Sequence, residues 1–130
     1  MSVIPETGDG DLTEISDLVQ RIAQTLSDKL AEDIVILDMR EVVSYTDWFV
    51  IASGRNSRHT QSLSAELRKR LKDEDRTMPA RIEGQREGDW ILLDYIDAVV
   101  HLFTPDTRGY YRLDGLWGQV PVIEFAAESA

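Results

Sequence analysis

Ser57 and His59 stand close together, and a hydroxyl beside an imidazole is the start of a hydrolase nucleophile. The spacing serves a helix better. Ser57 follows the turn run Ser53-Gly54-Arg55-Asn56 and reads as the N-cap of the next helix, with His59 a local hydrogen-bonding group in its first turn. Asp97 and His101 could share a metal, but no third ligand accompanies them. Cysteine is absent, which removes thiolate metal sites, cysteine nucleophiles and disulfides. What remains is recognition chemistry. Trp90, Leu92, Asp94, Asp97, Val99 and His101 set one aromatic anchor among acids and aliphatics. Arg68, Lys69, Arg70 and Lys72 form a run of cations that could meet phosphates.

A hairpin must position the first set. Trp90 to Leu93 and Ala98 to Phe103 read as strong strands. If Asp94 pairs with Asp97 across a Tyr95-Ile96 turn, then Leu93 faces Ala98, Leu92 faces Val99, Ile91 faces Val100 and Trp90 faces His101. Side chains alternate along each strand, so Ile91, Leu93, Ala98, Val100 and Leu102 share an apolar core face. Trp90, Leu92, Asp94, Asp97, Val99 and His101 share the other. Left uncovered by a helix, that face is a protein-binding surface; covered, it keeps only a polar rim. Tyr95-Ile96 lacks the Gly or Asn that two-residue turns favour, and a slip of one residue would exchange the two faces.

The cations belong to a helix. Leu63, Leu67 and Leu71 form its apolar line, and Arg68, Lys69, Arg70 and Lys72 fall on its exposed side. An earlier helix is predicted from Leu12, Ile15, Leu18, Val19, Ile22, Leu26 and Leu30, capped by Asp11 with Glu14 in the capping-box position. Ile34 to Asp38 and Trp48 to Ala52 read as strands, Ala80 to Glu83 as a weaker one, and Pro105 starts a short helical turn. Tyr110, Tyr111, Leu113, Leu116 and Trp117 divide between core and surface.

At 130 residues the chain is long enough for one domain with a core of its own. Its 24 acids against 14 Lys and Arg give a formal charge of −10. That balance argues against a protein held to nucleic acid mainly by phosphate contacts and favours a basic partner, or simply solubility. The charge is uneven. Nine of the basic residues lie in 55–86, while 87–130 holds eight acids against Arg108 and Arg112. No apolar run is long enough to span a bilayer, and the acidic start, Met1 to Asp11, fits neither a signal peptide nor a presequence, so no membrane association and a cytoplasmic location are expected.

Taken in order, several segments resemble the ribosomal silencing factor family, also called Iojap-like. These are Asp33 to Asp38, Thr46 to Gly54, Ser57-Arg58-His59, Glu83-Gly84, Trp90 to Tyr95, Asp97 to His101, Tyr110 to Leu113 and Leu116-Trp117-Gly118. The resemblance spans roughly residues 12–118. It implies a mixed α/β fold related to nucleotidyltransferases and binding to ribosomal protein fourteen of the large subunit. A bound factor would sterically prevent subunit joining and repress translation when nutrients are scarce, with no cofactor and no catalysis. The family's contact surface includes the Trp of a Trp-hydrophobic-Leu-Leu-Asp motif, matched by Trp90. Two positions depart from the family pattern. Members commonly have Gly where this chain has Ile96, and the usual Gly-Thr-Ser-Ser-Arg-His appears as Gly54-Arg55-Asn56-Ser57-Arg58-His59.

The implied fold raises an enzyme alternative, a nucleotide-binding or nucleotidyl-transferring protein. Ser53-Gly54 stands where a phosphate-binding turn would, but no closely spaced carboxylate pair follows on a strand to hold Mg²⁺. The expected architecture is α/β (α+β mixed): a single domain with a mixed five-stranded sheet and flanking helices, nucleotidyltransferase-like. Its expected bounds are an acidic N-terminal tail over 1–10, the domain over 11–120 and a C-terminal tail over 121–130. The expected partner is the large subunit through ribosomal protein fourteen, with a minor rRNA contact at Arg68, Lys69, Arg70 and Lys72, and a homodimer when the protein is free.

Overall fold

Helix α1 (Asp17–Asp28) forms because Val19, Ile22, Ala23 and Leu26 recur on one side and bury it completely. The computed structural model describes residues 16–111 and 120–125; Leu12 and Ile15, expected on this helix, and Asp11 and Glu14, expected to cap it, lie outside them. The cap is Ser16, whose hydroxyl accepts the N–H of Val19 at 3.2 Å. The helix also stops earlier than its apolar pattern suggests. Leu30 takes a left-handed φ of 67° and is 67% exposed. The N–H of Ala31 returns to the carbonyl of Leu26 and that of Leu30 to Ser27, closing a Schellman turn.

Strands β1 (Glu32–Asp38) and β2 (Trp48–Ser53) follow, then helix α2 (Ser57–Asp75). Asn56, not Ser57, caps α2: its Oδ1 accepts the N–H of His59 at 2.8 Å. Both are capping residue types, and the chain starts the helix one position earlier than expected. Leu63, Leu67 and Leu71 are buried as the spacing predicts, and Arg76 ends the helix in the left-handed region. Then come β3 (Arg81–Glu83), β4 (Trp90–Asp94), β5 (Ala98–Phe103), α3 (Pro105–Tyr111) and β6 (Val122–Glu124).

The sheet has six strands in the order β3-β4-β5-β2-β1-β6, one more than expected. β5 runs parallel to β2 and every other pair is antiparallel. The crossover between β2 and β5 carries α2, as a parallel connection requires. The added strand, β6, comes from the segment expected to be a C-terminal tail. Val122 pairs with Leu37 and Ile123 with Ile36, while the N–H of Phe125 bonds the carbonyl of Ile34.

Side-chain alternation divides the sheet into two faces. Ile36, Val50, Ile91, Leu93, Val100, Leu102 and Ile123 face α1 and α2 in the main core. Val35, Leu37, Phe49, Ile51, Val99 and Phe103 face the other way and form a second apolar layer with Met39 and Val120.

The hairpin register differs from the expected one by two residues. Trp90 pairs with Phe103, Ile91 with Leu102, Leu92 with His101, Leu93 with Val100 and Asp94 with Val99. Tyr95, Ile96 and Asp97 make the connection, with the N–H of Tyr95 bonded to the carbonyl of Ala98. A shift of two preserves side-chain parity, so the strand residues of both faces stay where expected, while Asp97 is drawn out of the second face into the turn.

Candidate protein-binding face

Trp90 stands on β4 at the edge of the second face, half-buried. Its indole Nε1–H donates to Nδ1 of His101 at 3.1 Å, and its ring lies 5.0 Å from that of Phe103. His101 is only 5% exposed. Phe49 meets it edge-on at 4.8 Å between ring centres, and Phe103 lies nearly parallel at 6.3 Å. With Nδ1 accepting, the neutral ring carries its hydrogen on Nε2, which is buried with no hydrogen-bond partner among the described residues. Burial pushes the imidazole down to about 4.

The structure thus brings Trp90, Leu92, Asp94, Val99 and His101 onto one face, at different depths. Val99 and His101 lie beneath the surface; Leu92 and Asp94 are half-buried. Asp94 turns its Oδ1 to the N–H of Ile96 at 2.9 Å. Asp97 belongs to the turn and is exposed, and its carbonyl accepts the N–H groups of Asp47 and Trp48, both at 3.2 Å. That bond joins two loops, 39–47 and 95–97, at one end of the sheet. Sequence reasoning missed what they carry: Val42, Tyr45 and Ile96 are large apolar side chains 44%, 61% and 58% exposed. Loop apolars show no periodicity, so only their exposure in the folded chain reveals them.

The cations expected to meet RNA divide as well. Arg70 is half-buried and binds Asp28 at 2.8 Å and Glu66 at 3.4 Å. The bond to Asp28 raises the guanidinium's pKa further. Burial works against ionisation of Asp28, but hydrogen bonds from Arg70 and Gln24 hold its carboxyl below the usual range. Arg70 therefore clamps α2 to α1. Arg68, Lys69 and Lys72 instead line a groove of about 510 Å³ with Met78, Pro79 and Ile82, where Lys69 pairs with Asp73 at 3.2 Å.

Polar groups of the Ser53–Gly54 turn are engaged internally. The Ser53 hydroxyl accepts from Arg108 at 2.9 Å, and the N–H of Gly54 bonds the carbonyl of Phe103. His59 bonds beyond the local turn expected for it: Nδ1 accepts the N–H of Arg55 and Nε2 donates to the carbonyl of Lys29 at the end of α1, both at 2.9 Å, tying the start of α2 to α1. Among the described residues no group of three His, Cys, Asp or Glu could hold a metal, and no helix is long and apolar enough to cross a membrane. Leu113, Leu116, Trp117 and the side chains of Tyr110 and Tyr111 lie outside the described residues.

Comparison with known proteins agrees with this architecture. The chain is 36% identical over 108 residues to a ribosomal silencing factor of Halalkalibacterium halodurans, covering 83% of this chain and 92% of that protein. It is 35% identical over 101 residues to a mouse protein named mitochondrial assembly of ribosomal large subunit protein 1, covering 76% of this chain and 44% of that one. A crystal structure of a Chromobacterium violaceum protein superposes with a TM-score of 0.76 at 31% identity, covering 90% of this chain and 96% of that one. The family described as ribosomal silencing factor during starvation matches residues 12–130. With that match across nearly the whole chain and the fold shared with a solved structure, the protein belongs to the ribosomal silencing factor family.

Proposed function

We propose that this protein is a non-enzymatic translational repressor that binds ribosomal protein fourteen of the large subunit and blocks subunit joining by its bulk. It would lower translation under nutrient limitation, in the cytoplasm. The family's description names silencing of the ribosome during starvation, and the mouse relative is named for assembly of the large subunit.

The observation that carries the reading is Trp90, held by a hydrogen bond at the rim of the sheet face opposite α1 and α2. Leu92 and Asp94 lie beside it, and Asp97 adds an exposed acid at the turn, a fit for a basic protein surface. Val99 and His101 support this surface from below. A second copy would use the same face when the protein is free. Arg68, Lys69 and Lys72 would add a minor contact to ribosomal RNA.

Co-sedimentation with purified large subunits tests this, using wild type and Trp90→Ala at two salt concentrations. The substitution is expected to weaken binding by about 2 kcal/mol or more while the protein stays folded. Undiminished co-sedimentation of Trp90→Ala, with unchanged melting, would refute the assignment of this face.

A further inference from the structure

We infer that His101 is a positioning residue, holding the indole of Trp90 in the pose that a partner meets; this rests on the function proposed above. His101 cannot itself reach a partner, being 5% exposed beneath Trp90. Nor does packing account for an imidazole there. Its neighbours Phe49 and Phe103 would accommodate an apolar ring of similar size. A phenyl group would also avoid the buried Nε2–H, which has no partner among the described residues. The imidazole offers what a phenyl cannot, an acceptor at Nδ1 aimed at the indole N–H.

The backbone fixes that aim. His101 pairs with Leu92 on β4 and with Ile51 on β2, so its strand is held on both sides. Trp90 pairs with Phe103, which makes Trp90 and His101 diagonal neighbours on one face, within reach of long side chains. The indole is thus ordered before binding, and the entropy of fixing it is not lost on association.

Two variants separate positioning from packing. His101→Phe keeps aromatic volume and removes the acceptor; His101→Asn restores an acceptor close to the Nδ1 position. In His101→Phe the melting temperature is expected to hold or rise. The Trp90 indole N–H resonance is expected to shift and exchange faster, with affinity for large subunits falling about tenfold. His101→Asn is expected to restore the resonance and most of the affinity. An unchanged indole resonance or unchanged affinity in His101→Phe would overturn the inference.

Should His101→Phe not fold, exchange in the wild type decides: a Trp90 indole N–H as labile as that of a solvated indole overturns the positioning role. Trp90→Phe, which has no N–H to offer, gives the second control. In that background His101→Asn is expected to have no further effect on binding, and an additional loss counts against the inference. If the wild type fails to bind large subunits at all, the proposed function falls, while the indole resonance still tests the positioning.

Discussion

The carboxylate of Asp94 accepts the backbone N–H of Ile96 at 2.9 Å, and Ile96 sits at a φ of 72°. A β-branched residue rarely adopts that region, because its Cβ crowds the following carbonyl. The Asp94 bond and the chain closure over Ala98 hold it there. Ile96 is 58% exposed, so the fold recovers little by burying it.

Ile96→Gly is therefore expected to stabilise the protein by about 1 kcal/mol, the relieved strain being partly offset by the freedom glycine gains when unfolded. Asp94→Ala is expected to destabilise it by about 1 kcal/mol through loss of the turn hydrogen bond. Urea unfolding of both variants measures the two effects. A lower midpoint for Ile96→Gly would show that the turn is not strained.

Acid stability follows from His101. Burial lowers its pKa from the ordinary 6.5 to about 4. Between those values the unfolded chain takes up a proton that the folded chain does not. Stability is full above pH 6.5 and declines as pH falls toward 4, by about 3 kcal/mol in all. The carboxyls of Asp28 and Asp38 lie below the ordinary 3.8, so their contributions are lost at lower pH still. Unfolding followed between pH 7 and 4 is expected to show the decline in wild type and a flatter profile in His101→Phe.

Tyr95 gives the opposite end of the scale. Its ring is buried in the main core and its hydroxyl has no hydrogen-bond partner among the described residues. Burial raises its pKa to about 12, against a weaker opposing effect of Arg68. Tyr95→Phe removes an uncompensated polar group and is expected to leave stability unchanged or raise it by about 1 kcal/mol. Wild type is expected to lose stability as pH rises from 10 toward 12, because only the unfolded chain releases the phenolic proton there. Thermal melts at neutral and alkaline pH compare the pair.

The cations of α2 divide by role. Arg70→Ala cuts the links to Asp28 and Glu66 and is expected to lower stability by about 0.5–1 kcal/mol, a small figure because the pairs are partly solvated. It is expected to leave ribosome binding nearly unchanged. Lys72→Ala is expected to spare stability and reduce the salt dependence of large-subunit binding. Parallel urea titrations and salt-dependent co-sedimentation would separate the two residues; equal effects on binding would place both on the RNA.

Much of this arrangement was legible before the fold was known, because side-chain periodicity is local. Leu63, Leu67 and Leu71 mark a buried helix stripe whatever they pack against. The division of the strand residues in 90–103 between two sheet faces depends only on parity, so a register two residues from the expected one leaves it intact and moves only Asp97, into the turn. The turn was harder. Tyr95-Ile96 offers no glycine, and the left-handed residue that the turn needs is Ile96, held by Asp94. The cap of α2 was legible to within a residue, because Asn56 and Ser57 are adjacent side chains that can serve the same end, whereas α1 is capped by Ser16 and not by the expected Asp11.

Other features depend on residues far apart in the chain. β6 is three residues long and exists through its pairing with β1, a partner no local pattern announces. Arg70 and Lys72 look alike along the helix, and only the placement of Asp28 on α1 makes one a clamp and leaves the other lining a groove. His101 is the clearest case. Alternation assigned it to the face of Trp90, but depth within that face is set by Phe49 from β2 and Phe103 from its own strand. The sequence by itself determined the elements, the faces and the family, because these rest on local spacing and residue order. The tertiary structure alone decided which members of the recognition face are buried, because burial depends on what distant strands bring alongside.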